Sequence, residues 1–69
     1  MKIKYMKSFA KEMMKRKKET KLTYREISQA TEIPEPYLCL LANGKRNTSI
    51  ENAMRISRIL NFSIDNLKR

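Results

Sequence analysis

Apolar residues recur at helical intervals along most of this chain. Met6, Phe9, Ala10, Met13 and Met14 fall three and four residues apart with lysines between them, which predicts an amphipathic first helix from about Lys4 to Lys18. Thr23 and Glu26 then form a Thr-x-x-Glu capping box, in which a hydroxyl and a carboxylate satisfy orphan amides at a helix start. A second helix should therefore begin at Tyr24, bury Ile27 and Ser28, and fade by Thr31. Pro34 ends it, because proline disfavours helical geometry at Ile33 and has no N–H to donate. Pro34 and Pro36 can open the next helix, where first-turn amides have no intrahelical partner anyway. Tyr37, Leu38 and Leu41 supply its apolar stripe, and Gly44, the only glycine, closes it after Asn43 as a left-handed cap. Thr48 and Glu51 repeat the capping pattern ahead of Ile50, Ala53, Met54, Ile56, Ser57 and Leu60, a fourth helix. Asn61 closes that one, Phe62 staples the corner, and Ser63 caps a short fifth helix carrying Ile64 and Leu67. The expectation is a compact, all-α, five-helix domain spanning residues 1–69.

Residues 23–44, TYREISQATEIPEPYLCLLANG, thus read as two short helices around a stiff three-residue corner, the plan of a helix-turn-helix. The segment resembles the phage-repressor or Cro-type helix-turn-helix family, often called XRE-like, and the resemblance covers roughly Met6 to Leu67. It rests on Leu22-Thr23, Ile27-Ser28, Ile33, Leu38, Leu41, Gly44-Lys45-Arg46, Ser49-Ile50 and the closing run Leu60-Asn61-Phe62-Ser63-Ile64-Asp65-Asn66-Leu67, all in one register. It implies a lambda-repressor-like fold and a sequence-specific, DNA-binding transcriptional regulator of bacterial or phage origin. Four positions depart from the family pattern. Glu32 stands at the turn glycine, Pro34 at the capping serine, Glu35 where Gln or Arg often reads bases, and Tyr24 at a frequent phosphate-contacting Gln.

In such a motif the second helix enters the major groove, and the resemblance assigns its outward face to Glu35, Pro36, Tyr37, Cys39, Leu40 and Asn43. Glu35 can accept from a cytosine amino group, Asn43 can make amide contacts, and Pro36 or Leu40 can touch a thymine methyl. No Arg or Gln offers the commonest bidentate contacts. Phosphates suit the amides at the two motif helix starts and the side chains of Tyr24, Arg25, Lys45, Arg46 and Asn47, with Lys17 from the Lys15–Lys18 run. That run reads equally well as a solvated helix end, where cations suit the macrodipole. A small unit contacts few base pairs, so specific binding is expected to take two copies on half-sites about 34 Å apart. Phe62, Ile64 and Leu67 are candidates for a dimer seam, or simply close the core.

Charge bears on the same question. The formal net charge is +9 in 69 residues, a balance that suggests a nucleic-acid partner. Its distribution is uneven: residues 1–21 hold nine Lys or Arg against two acids, residues 45–69 hold six against two, and residues 22–44 hold only Arg25 against Glu26, Glu32 and Glu35. Attraction to phosphate must come from the flanks of the motif rather than from its second helix.

Other chemistries find little support. There is no histidine, so Cys39 lacks the usual base of a nucleophile, and it is read as a small residue. One Asp and scattered Glu show no metal-ligand spacing, and one glycine makes no phosphate-cradling loop. No enzyme activity, cofactor, metal or small-molecule substrate is expected. A lone cysteine cannot form an internal disulfide and fits a reducing cytoplasm, with the protein nucleoid-associated. No apolar run approaches the roughly 18 residues of a membrane span, and Met1 to Ala10 lacks that of a signal peptide. The basic first helix is more economically core than a membrane-surface element. The alternative reading is a helix-turn-helix-derived module that binds another protein through an apolar face of Pro36, Tyr37 and Leu40.

Overall fold

The first helix starts later than its pattern predicts, and the reason lies in the residues before it. In the computed structural model, which describes residues 2–67, the chain from Lys2 to Tyr5 is not helical: Lys2 makes an isolated antiparallel bridge with Ser49 and the backbone bends at Lys4. The helix, α1, therefore spans Met6–Thr20, with Lys21 in a left-handed cap at φ 61°. Its run of Lys, Arg and Glu carries it past Lys18. Arg16 pairs with Glu12 at 2.8 Å and with Glu19 at 3.8 Å, and both carboxylates hold its guanidinium above its ordinary pKa, the hydrogen bond that it donates to Glu12 most strongly.

The next helices follow from their caps. Helix α2 spans Tyr24–Thr31, and the Thr23–Glu26 capping box is complete. Two hydrogen bonds that the Thr23 amide and hydroxyl donate to its carboxylate lower the Glu26 pKa. Ile27 is fully buried and Ser28 is half-buried, while Thr31 is buried as well. Helix α3 spans Glu35–Ala42, with Pro34 as its N-cap and Pro36 inside the first turn. It ends in a Schellman motif: the Lys45 amide donates to Leu40 O at 2.9 Å and the Gly44 amide to Leu41 O at 3.0 Å. Gly44 takes φ +70°, and a Cβ there would make only an ordinary contact with Ala10 Cβ at 3.9 Å, so backbone geometry rather than crowding calls for glycine.

Helix α4 spans Ile50–Leu60, and its cap is one residue later than expected. Ser49, not Thr48, accepts the Asn52 amide, at 3.2 Å. The pairing of Ile3 with the Thr48 backbone turns the Thr48 side chain into the core, where its hydroxyl has no hydrogen-bond partner among the described residues. Asn61, at φ 59°, ends α4 as expected. The fifth helix is replaced by a single 3-10 turn at Asp65–Leu67. Ile64 precedes the turn and is buried, Leu67 packs against the core from its end, and the Leu67 amide donates to Ile64 O at 2.8 Å, a bond three residues long where an α-helix would span four. The described residues thus hold four α-helices and one 3-10 turn. Met1, Lys68 and Arg69, which the expected span of 1–69 includes, lie outside them.

Helices α1 and α2 each pack on α3 and α4. Phe9, Met13, Ile27, Ile33, Leu38, Leu41, Ile56 and Leu60 fill the centre. Phe62 covers one end, its ring 5.8 Å from that of Phe9. The result measures 29 × 21 × 18 Å and holds α3 against the rest by one side only.

Candidate nucleic-acid interface

The corner between α2 and α3 sets how α3 stands out from the body. Glu32 adopts φ 63° and donates its amide to Ser28 O at 2.8 Å, reversing the chain after one residue. The Thr31 hydroxyl donates to Ile27 O at 2.7 Å and accepts from the Ile33 amide at 3.3 Å. Ile33 is buried, which anchors the corner to the core.

Helix α3 buries Leu38, Leu41 and Ala42 and leaves Glu35, Pro36, Cys39, Leu40 and Asn43 exposed. Leu40, at 37% exposure, is the largest apolar side chain on that face. The Asn43 amide donates to Cys39 O at 2.8 Å and approaches Cys39 Sγ at 3.5 Å, so it lies along the helix. Tyr37 sits differently. It is half-buried, its hydroxyl donates to Asn47 O at 2.6 Å, and its ring turns toward the loop after α3 instead of outward. The apolar face of Pro36, Tyr37 and Leu40 is accordingly reduced to Pro36 and Leu40.

Cationic and hydroxyl groups border this face on two sides. On one, Lys17 Nζ lies 4.4 Å from the centre of the Tyr24 ring, a cation–π contact that joins the end of α1 to the start of α2. Partial burial, and secondarily the nearby Cys39, raise the Tyr24 pKa above its ordinary value. Arg25 beside it is exposed. On the other side are Lys45 and Arg46, both exposed, with the Arg46 guanidinium 6.0 Å from the Tyr37 ring. Among the described residues Lys17, Arg25, Lys45 and Arg46 make no ion pair, so their charge is available to an external anion.

Asn47 is half-buried and tied inward. Its side-chain amide donates to Ile3 O at 2.9 Å, and its Oδ1 accepts the Thr48 amide at 2.7 Å. The helix-start amides contribute less than the sequence suggests. Thr23 occupies the Glu26 amide, Pro36 has no N–H, and the Tyr37 and Leu38 amides both bond to Pro34 O at 3.1 Å.

This is the architecture of a helix-turn-helix, and a family model described as Helix-turn-helix matches residues 13–67. The chain belongs to the Cro/C1-type helix-turn-helix family. Proteins of that family are DNA-binding regulators. Searches of curated proteins and of solved structures returned no match. The family match begins within α1 and runs through the 3-10 turn, so it takes in both borders of the α3 face.

Elsewhere, Phe62, Ile64 and Leu67 pack against the core, with Ile64 buried and the other two half-buried. The exposed apolar residues on that side are Ile50 and Met54 of α4, which flank an open groove of about 270 Å³ with Ser57, Arg58 and Ile64. No group of His, Cys, Asp and Glu among the described residues could hold a metal ion. No described helix is long and apolar enough to cross a membrane.

Proposed function

We propose that the protein is a sequence-specific DNA-binding transcriptional regulator in which α3 enters the major groove and its borders grip the phosphate backbone. The observation that supports this best is the arrangement of charge. A helix face free of Lys and Arg stands between Lys17 and Arg25 on one side and Lys45 and Arg46 on the other, none of them in an ion pair among the described residues. Bases meet Glu35, Pro36, Cys39, Leu40 and Asn43. Phosphates meet the four cations and the Tyr24 hydroxyl. Readout by this face relies on apolar contact with thymine methyls through Pro36 and Leu40, and on Glu35 accepting from a cytosine amino group. Helix α3 has only eight residues, so specific recognition takes two copies on half-sites about 34 Å apart.

Four cations on four phosphates give a log–log salt slope near −3.6, a loss of roughly a hundredfold in affinity between 50 and 200 mM salt. Fluorescence anisotropy on random duplex DNA measures it. The Lys45→Glu, Arg46→Glu double variant is expected to flatten the slope by about 2. A wild-type slope near zero would reject the proposal.

A further inference from the structure

The residues around Tyr37 form a chain of hydrogen bonds that the roles assigned above leave unused. The chain starts on α3, where the Tyr37 hydroxyl donates to Asn47 O at 2.6 Å. It continues through the Asn47 side-chain amide to Ile3 O at 2.9 Å, and the Ile3 amide returns to Thr48 O at 3.1 Å. Three segments meet here: the first turn of α3, the loop between α3 and α4, and the residues before α1. Lys45 and Arg46 lie in the short stretch between the Schellman cap of α3 and Asn47, so both ends of that stretch are fixed. Arg46 also lies over the ring of the tyrosine that makes the first link.

We infer that Tyr37 and Asn47 are positioning residues, which act on DNA through Lys45 and Arg46 and not by touching it. Two flexible cations lose side-chain and loop freedom when they settle on phosphates, and a loop already held in place loses less. The tie also fixes the distance between the cation pair and α3, so that groove and backbone are engaged together. This inference rests on the DNA-binding reading above and reassigns two residues within it.

The test is a double-mutant cycle on random duplex DNA, read by fluorescence anisotropy at about 100 mM salt, where electrostatic binding is still measurable. Tyr37→Phe removes the hydroxyl and keeps the ring. In the wild-type background it is expected to weaken binding by about fivefold. In a Lys45→Gln, Arg46→Gln background it should weaken binding no further, because the groups it positions are gone. Equal losses in both backgrounds would show a direct contact or a general effect and overturn the inference, as would no loss in the wild type. If Tyr37→Phe melts below the assay temperature, Asn47→Ala carries the same cycle with the same two outcomes. A wild-type protein that shows no salt-dependent binding rejects the DNA reading and this inference together. Normal wild-type binding with a failed cycle rejects this inference alone.

Discussion

Helix α3 is held at its two ends by corners built on opposite plans. The corner before it, Glu32 to Pro34, is local: a left-handed residue, a threonine hydroxyl bonded within two and four residues, and one buried isoleucine. The corner after it begins locally with the Schellman cap at Gly44 but then depends on Asn47 reaching Ile3, 44 positions away. The first sets the angle of α3 to the body, and the second sets where the neighbouring cations stand. A local corner forms with its own helices, whereas the distant one requires the whole chain to be folded first. Breaking the first should therefore cost stability, and breaking the second should cost order in one loop.

The largest effect is expected at Ile33. It is buried in the core at the centre of the local corner, and Ile33→Ala removes its side chain and leaves a cavity, at a cost of about 3 kcal/mol. A domain of this size has a total stability of only about 4–10 kcal/mol, so the melting temperature should fall by more than about 10 °C. Thermal unfolding followed by circular dichroism measures it. A shift of a degree or two would mean that Ile33 does not anchor the corner.

The difference between the corners also explains what could be read from the residues. The capping box at Thr23 and Glu26, the proline-opened α3 and the cap at Gly44 are encoded within four or five residues, and all lie where the spacing puts them. The cap of α4 lies one residue, and the start of α1 two residues, later than the local pattern indicates, both because the N-terminal residues pair with the loop at Thr48 and Ser49. No local pattern announces a contact between residues so far apart. The same contact turns Tyr37 and Asn47 inward, although helical spacing and loop position make each look available to a ligand. Thr31 was legible only in hindsight: a hydroxyl at the last position of α2 can bond back to the helix and forward into the turn, and burial makes both bonds matter.

The distant corner is tested by Asn47→Ala, which strands the Ile3 carbonyl and the Thr48 amide at a cost of about 1.5 kcal/mol. The contrast with Ile33→Ala lies in where the effect appears. Amide hydrogen exchange should quicken at Ile3, whose bond to Thr48 O depends on the tie, while the amides of α2 change only as far as global stability does. Uniform acceleration across the chain would mean the two corners form one cooperative unit, and the comparison would fail.

The smallest effect has the opposite sign. Among the described residues Glu32 is one of three other than glycine with positive φ, alongside Lys21 and Asn61. Asparagine tolerates that geometry, because its short side chain can bond locally, but a glutamate there carries strain of roughly 1–2 kcal/mol from its Cβ and the following carbonyl. Glu32→Gly relieves the strain and loses part of the gain to the greater freedom of glycine in the unfolded chain, for a net stabilisation of about 0.5–1 kcal/mol. Glu32 is exposed and makes no ion pair among the described residues, so no side-chain contact is given up. Chemical denaturation resolves such a change. The same substitution at Asn61 should gain less or nothing, since the strain it would relieve is smaller. If Glu32→Gly destabilises the protein, the local corner draws on the glutamate side chain in a way that its backbone bonds do not reveal, and the division between a local and a distant corner would have to be redrawn.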